Sequence, residues 1–428
     1  MLDKTATAQF SWRNSFPLGS AALFACAVAW LAIPPVFLIA QVGASPDPVP
    51  LVIILAKLDK GDEAGAARLM KDNLPVMKKR LDELIASYDN KFDELGRSGA
   101  TAGHDVHTEI LQQFIDEVTR NEKLFAIYRS LTHDENIYKR IEARRLRFEG
   151  AYYTHYGEDV CGEELNWEEA QRRYNVSIDK LNAAFAIAKE VNDVRLMASI
   201  KNNIGSTYIR LVQPEKAVQA YEEGMRYAIQ LGGEMYKGLV NLNLGNTYVW
   251  IGEPEKSLQY SQPALASFKK MGRETWQANA MMNIANAYLR EKKFSDAWET
   301  MRVALELAKQ SGEDRIRGRA LLNLGMVGVQ LKKPDAIALV QEGLDWYEKE
   351  GSDVYTTIEK EAVRQDGLRM LSRIARQNGD DAAAKKYDQQ FFESLGSDPD
   401  RYGTLRASQC FAIYQARPAG ELSTGKKP

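Results

Sequence analysis

The chain has 428 residues, with 56 Lys plus Arg against 58 Asp plus Glu, a formal net charge of -2, four His and three Cys. That near-neutral balance offers no broad positive field for a phosphate backbone, and three cysteines exclude both a disulfide-rich scaffold and a four-cysteine zinc site. Apolar residues at 45%, with 14 Pro and 30 Gly, describe a folded chain of a few domains or one repeat array.

From the N-terminus, no charged residue lies between Arg13 and Asp47, and across residues 18–40 only Ser20 is overtly polar. As a helix that stretch is roughly 34 Å long, enough for a bilayer core of about 30 Å, and a membrane helix tolerates Pro34 and Pro35 near its end. The pattern predicts a stub over residues 1–17, a transmembrane helix over 18–41 and a Pro-rich spacer over 42–50. Lys4 and Arg13 precede the span, while Asp47, Asp59, Asp62 and Glu63 outweigh Lys57 and Lys60 after it. The positive-inside rule then favours a cytoplasmic N-terminus in a single-pass membrane protein, with the remainder exported to the periplasmic side. A cleaved signal peptide is the rival reading, because Val42-Gly43-Ala44 resembles a small-residue cleavage site. Ala21, Ala25, Ala29 and Ala32 line one face of the span and suit close packing against another membrane helix.

Residues 51–135 read as a helical region of degenerate repeats or spacer, interrupted at Pro75. A repeat array is predicted over 136–396. Gly150 and Tyr153 belong to its first unit, and an insertion around 157–166 predicts a loop before a second helix that begins near Trp167. The best-defined repeats span 194–351. Asn203-Ile204-Gly205-Ser206-Thr207-Tyr208, Asn243-Leu244-Gly245-Asn246-Thr247-Tyr248, Asn283-Ile284-Ala285-Asn286-Ala287-Tyr288 and Asn323-Leu324-Gly325-Met326-Val327-Gly328 each begin 40 residues after the last. Behind the first three lie a turn and a second amphipathic stretch, entered at Pro214, Pro254 and Phe294, and a glycine closes each unit at Gly232, Gly272, Gly312 and Gly351. Such a period describes a helix, a tight turn and an antiparallel helix. Gly205, Gly245, Ala285 and Gly325 are small where the paired helices must approach, and proline at the start of a helix loses no hydrogen bond. A fifth unit follows through Gly379 and Tyr387, and 397–428 reads as a capping segment and a disordered tail.

The signature Leu244-Gly245 to Tyr248, then Gly252 to Ser257, resembles the tetratricopeptide repeat, in the longer form found in kinesin light chains. The fourth unit departs from it, with Gly328 in the tyrosine position. The resemblance implies an all-α fold, a right-handed superhelical solenoid of antiparallel helix pairs, here preceded by one transmembrane helix. It also implies a concave peptide-binding groove lined by Asn203, Asn243, Asn283 and Asn323 in one row and by Ser206, Asn246 and Asn286 in a second, with Lys201, Arg210, Trp250 and Arg290 placed to frame it. An amide both donates and accepts, so such a ladder can pair with the backbone of an extended peptide without reading its side chains. The same asparagines can instead bond to the adjacent helix, and at this stage both roles stand.

Catalytic chemistry is sparse. His104-Asp105-Val106-His107 sits at a predicted helix start and has no second ligand cluster, and no phosphate-binding glycine loop or nucleophile elbow occurs. The expectation is a protein without enzymatic activity, cofactor, metal, small-molecule substrate or nucleic-acid partner. Cys161 and Cys410 either pair or remain free thiols. The predicted function is a membrane-anchored scaffold that holds or assembles a membrane-associated complex by capturing a protein partner, as an extended peptide segment or a complex subunit, in the groove. The alternatives are a non-catalytic accessory subunit of a membrane enzyme, held through its transmembrane helix, and a peptide-responsive regulatory sensor.

Overall fold

The computed structural model describes residues 50–98, 104–312, 314–350 and 356–410, and every regular element among them is helical. The chain divides into two compact units between Glu83 and Leu84. In the first, α1 (Pro50–Asp59) packs on α2 (Glu63–Asp72). Asp62 ties their connection: it accepts from the Gly65 N–H at 2.8 Å and pairs with Lys57 at 2.7 Å, whose hydrogen bond holds the Asp62 carboxyl below its ordinary range. Helix α3 (Leu74–Ser98) runs across the division.

The expected membrane location requires correction. Among the described residues no helix is long and apolar enough to cross a membrane, which overturns the single-pass topology with its cytoplasmic N-terminus and periplasmic array. The apolar helix α1 has only 10 residues, about 15 Å against a bilayer core of about 30 Å, and the longer helices carry charge along their length. Residues 18–41, on which the expected span falls, lie outside the described residues.

The second unit is a run of paired helices. These are α5 (Glu135–Asp159) with α6 (Trp167–Glu190), α7 (Val194–Arg210) with α8 (Pro214–Leu231), and α9 (Glu234–Ile251) with α10 (Pro254–Lys270). They continue as α11 (Glu274–Arg290) with α12 (Phe294–Ser311), α13 (Asp314–Gln330) with α14 (Ala336–Asp345), and α15 (Thr357–Gln377) with α16 (Asp381–Ser394). Helix α4 (His104–Thr132) precedes the run and packs on α5, and the short α17 (Arg401–Ala407) follows it and touches α15. Each second helix packs on the first helix of the next pair, and successive first helices touch from α5 to α13. Apolar faces that no single pair can bury are thus shared between neighbours, which makes the run a helical-repeat solenoid.

Local signals set the period. Asp134, Asn166, Asp193, Thr356 and Asp380 cap helix N-termini by accepting from the N–H groups of Ile137, Glu169, Leu196, Glu359 and Ala383. Between pairs the chain reverses at Gly232, Gly272 and Gly312, all with positive φ. Within pairs the equivalent left-handed residue is Val212, Gly252, Lys292 or Lys332, so glycine is used once in four turns. Gly351 lies outside the described residues.

The insertion around 157–166 is largely helical where a loop was expected. Helix α5 continues into a π-helical turn (Val160–Glu164), and Leu165, with φ 54°, reverses the chain before α6. The cause is an apolar cluster of Val160, Cys161, Ala170, Tyr174, Leu211 and Cys410. Within it Cys161 and Cys410 form a disulfide, deciding the alternative that the sequence left open. A second π-helical turn (Trp346–Glu350) follows α14.

Candidate functional site

The candidate site is the row of first helices α7, α9, α11 and α13. Their approach to the second helices depends on missing side chains. A Cβ on Gly205 would fall 2.4 Å from the Tyr221 ring, one on Gly245 2.1 Å from Ser261 Oγ, and one on Gly325 2.3 Å from Val340 Cγ2. Tyr221 is buried, its hydroxyl lies 3.1 Å from Ser206 Oγ, and burial pushes its phenol up to about 12. Tyr248 stacks on Tyr260 with ring centroids 5.4 Å apart. Lys216, Lys256 and Lys293 each lie over the repeat tyrosine of their own unit, Tyr208, Tyr248 and Tyr288.

The asparagines join neighbouring first helices. Asn243 Nδ2 donates to Asn202 Oδ1 at 2.8 Å, Asn283 Nδ2 donates to the Leu242 carbonyl at 3.0 Å, and Asn323 Nδ2 donates to Asn286 Oδ1 at 3.4 Å. Asn283, Asn286 and Asn323 are buried, whereas Asn203, Asn243 and Asn246 are half-buried. Asn203 is half-buried as a residue, with its Nδ2 enclosed and without a hydrogen-bond partner. Ser206 is engaged by Tyr221, and Arg210 is paired with the buried carboxylate of Glu158 on α5. Trp250 is half-buried against the core of α7 and α9, and Arg290 is exposed at the end of α11. The row is therefore continuous along α7, α9, α11 and α13, with part of its amide capacity used to hold the helices together.

A second polar constellation escaped the sequence. Asp89, on the 84–98 part of α3, accepts from Arg144 Nη2 at 2.6 Å and Nε at 3.1 Å, and from Arg147 Nη2 at 3.4 Å. Arg144 also donates to Asp193 at 2.9 Å, and Arg147 to Ser199 Oγ at 3.1 Å. Both guanidiniums are buried, and burial lowers the pKa of Arg147, which lies 4.0 Å over the Phe92 ring. One turn further along α3, Asp93 pairs with Arg195 at 2.7 Å and accepts from the Tyr236 hydroxyl at 3.2 Å. This part of α3 thus reaches the first helices α5, α7 and α9. Its only sequence signal is the spacing of Asp89 and Asp93 four apart, common on solvated helix faces. His104, Asp105, Val106 and His107 open α4, and their side chains lie outside the described residues.

The family model of the tetratricopeptide repeat matches residues 198–228, from within α7 to within α8. Among solved structures, the chain is similar to the apo form of RapI at 13% identity, covering 65% of this chain and 91% of that one with a TM-score of 0.46. It is similar to the repeats of a putative kinesin light chain of Podosopora anserina at 16% identity, covering 47% and 95%, TM-score 0.39. The apo quorum sensor NprR of B. thuringiensis matches at 13% identity, covering 81% and 98%, TM-score 0.43. No curated protein matches the sequence.

Proposed function

We propose that this chain, a helical-repeat protein with a tetratricopeptide unit at its centre, is a scaffold that binds a protein partner along its first helices. The partner is an extended peptide segment, received on the first-helix face built from Asn203, Ser206, Arg210, Asn243, Asn246, Trp250, Asn283, Asn286, Arg290 and Asn323, of which the buried members shape the face and the half-buried and exposed ones present it. The observation that carries this reading is the continuous polar row across α7, α9, α11 and α13. Within it the residues have two tasks. Asn243, Asn283 and Asn323 fix the spacing of neighbouring helices, and Asn203, Asn246 and Arg290 meet the partner. A surface of amides with few charges selects by backbone pairing and shape, in keeping with the near-neutral composition.

Site-directed photocrosslinking tests this. A photoreactive residue replacing Asn246 is expected to trap a partner from a native extract. The same residue replacing Ile229, which is 62% exposed on the second helix α8, is expected to trap none. Equal trapping at both positions would remove the first-helix row from consideration.

A further inference from the structure

The helices of the second unit form a closed circuit. Helix α5 touches α7, and contacts continue through α9, α11, α13, α14 and α15; α15 then returns to the first π turn, which is the continuation of α5. A stack held by nearest-neighbour contacts alone stays open. The junction of π turn and α15 is therefore a separate device, and it is built in layers. The Cys161–Cys410 disulfide joins residues 249 apart, with exposures of 1% and 0%. Glu163 accepts from the Thr357 N–H at 3.0 Å, which sets a carboxylate at the positive end of α15. Gly162 lies so near Thr356 that a Cβ would fall 2.4 Å from Thr356 Cγ2, and Thr356 is itself buried.

The surroundings of the disulfide are unusual in the same way. Leu165 and Val212 hold left-handed backbone, φ 54° and 58°, although neither is glycine, and both side chains pack on the cluster containing Cys161 and Cys410. An L side chain adopts that conformation with difficulty, most of all a β-branched one, and it persists where surrounding packing over-determines it. Leu165 belongs to this junction alone, whereas Val212 holds the turn position that recurs at Gly252, Lys292 and Lys332.

We propose that the junction is a thiol-operated clasp: oxidised, it holds α15 and the chain at Cys410 against the π turn, and reduction by a dithiol lets them part and opens the circuit. In that step one thiolate of the dithiol attacks a sulfur of the Cys161–Cys410 bond and forms a mixed disulfide, releasing one protein thiolate. The second thiolate of the dithiol then displaces the other protein sulfur. The dithiol ends as its own disulfide, and the chain carries two thiols that have taken up two electrons and two protons. Because both sulfurs are buried, the attacking thiolate reaches them only when the junction has parted, so the rate of reduction reports opening.

The test follows the full chain, oxidised and reduced with dithiothreitol, by hydrogen exchange and small-angle scattering, beside the variants Cys410→Ser and Gly162→Ala. In reduced protein and in Cys410→Ser, amides of 160–164 and 356–360 are expected to lose protection by about tenfold or more, and the radius of gyration to rise, while α9 to α12 keep their protection. Gly162→Ala retains both cysteines but sets a methyl group against Thr356, and it is expected to accelerate reduction about threefold to tenfold. Identical protection and radius in the oxidised and reduced chain overturn the clasp, as does an unaltered reduction rate in Gly162→Ala. Loss of protection that extends through α9 to α12 on reduction also overturns it, since the disulfide would then hold the whole fold and not one junction.

Discussion

Asp89 carries the balance of buried charge in the second unit. The residue is 4% exposed, and its carboxylate faces two guanidiniums that are buried more deeply still. Taking one member out of such a group leaves uncompensated charge in a low-dielectric site. Asp89→Asn is therefore expected to destabilise the fold by about 3–5 kcal/mol, read from urea unfolding. A loss below about 1 kcal/mol would mean that water reaches Arg144 and Arg147. Asp193 permits a pH test. Burial opposes its ionisation, but the Arg144 guanidinium and the Leu196 N–H more than offset this and hold its pKa below the ordinary 3.8. A depressed acid stabilises the fold fully above the unfolded value, so this contribution is present above about pH 4 and is lost as pH falls through the lower folded value. Asp193→Asn keeps a good N-cap and removes the charge, so the variant is expected to lose less stability between pH 5 and pH 2 than the parent. At this scale the sequence disclosed the small positions, because Gly205, Gly245 and Gly325 recur in register. It concealed Asp89, since an acid on an amphipathic helix looks the same whether it faces water or an arginine of another helix.

At the scale of elements, helix pairing was legible because four units repeat one hydrophobic and turn pattern at 40 residues, and a stack needs only neighbours to complete it. Two features lay outside that reach. The π turn at Val160–Glu164 is held by contacts with α15 and Cys410 that have no counterpart one repeat away, so an insertion looked like a loop. The docking of the 84–98 part of α3 on α5, α7 and α9 rests on side-chain pairs more than a hundred residues apart in the case of Asp93 with Arg195. Helix α10 offers a direct measurement of element against array. Pro263 is exposed inside it, where proline removes a backbone donor and crowds the preceding turn. Pro263→Ala is expected to raise stability by about 1–3 kcal/mol, checked by thermal or denaturant unfolding. No gain would mean that α10 is bent to fit its neighbours and that straightening it strains the pair.

For the molecule, the candidate site was legible as a row but not as a division of labour. The spacing of Asn203, Asn243, Asn283 and Asn323 located the row, and only packing separates the amides that bind a neighbouring helix from Asn203 and Asn246, which keep part of their surface. The second unit is also more than a linear stack, because its contacts return from α15 to the π turn after α5. A partner bound along the first helices would meet helices already tied to one another while the junction is closed, which reduces the ordering that binding must impose. The membrane anchor, by contrast, was argued from composition alone, and the described helices give it no support.

A protein partner that engages the first-helix row must depend on the side chains presented there. The most direct test of that dependence is affinity capture from native extract with the folded triple variant Asn203→Ala, Asn246→Ala and Arg290→Ala, beside the parent and Ile229→Ser, with recovered proteins quantified by mass spectrometry. The predicted result is a partner recovered equally by the parent and Ile229→Ser and reduced about tenfold or more by the triple variant, the scale of a few lost contact residues. Undiminished recovery by the triple variant would contradict it.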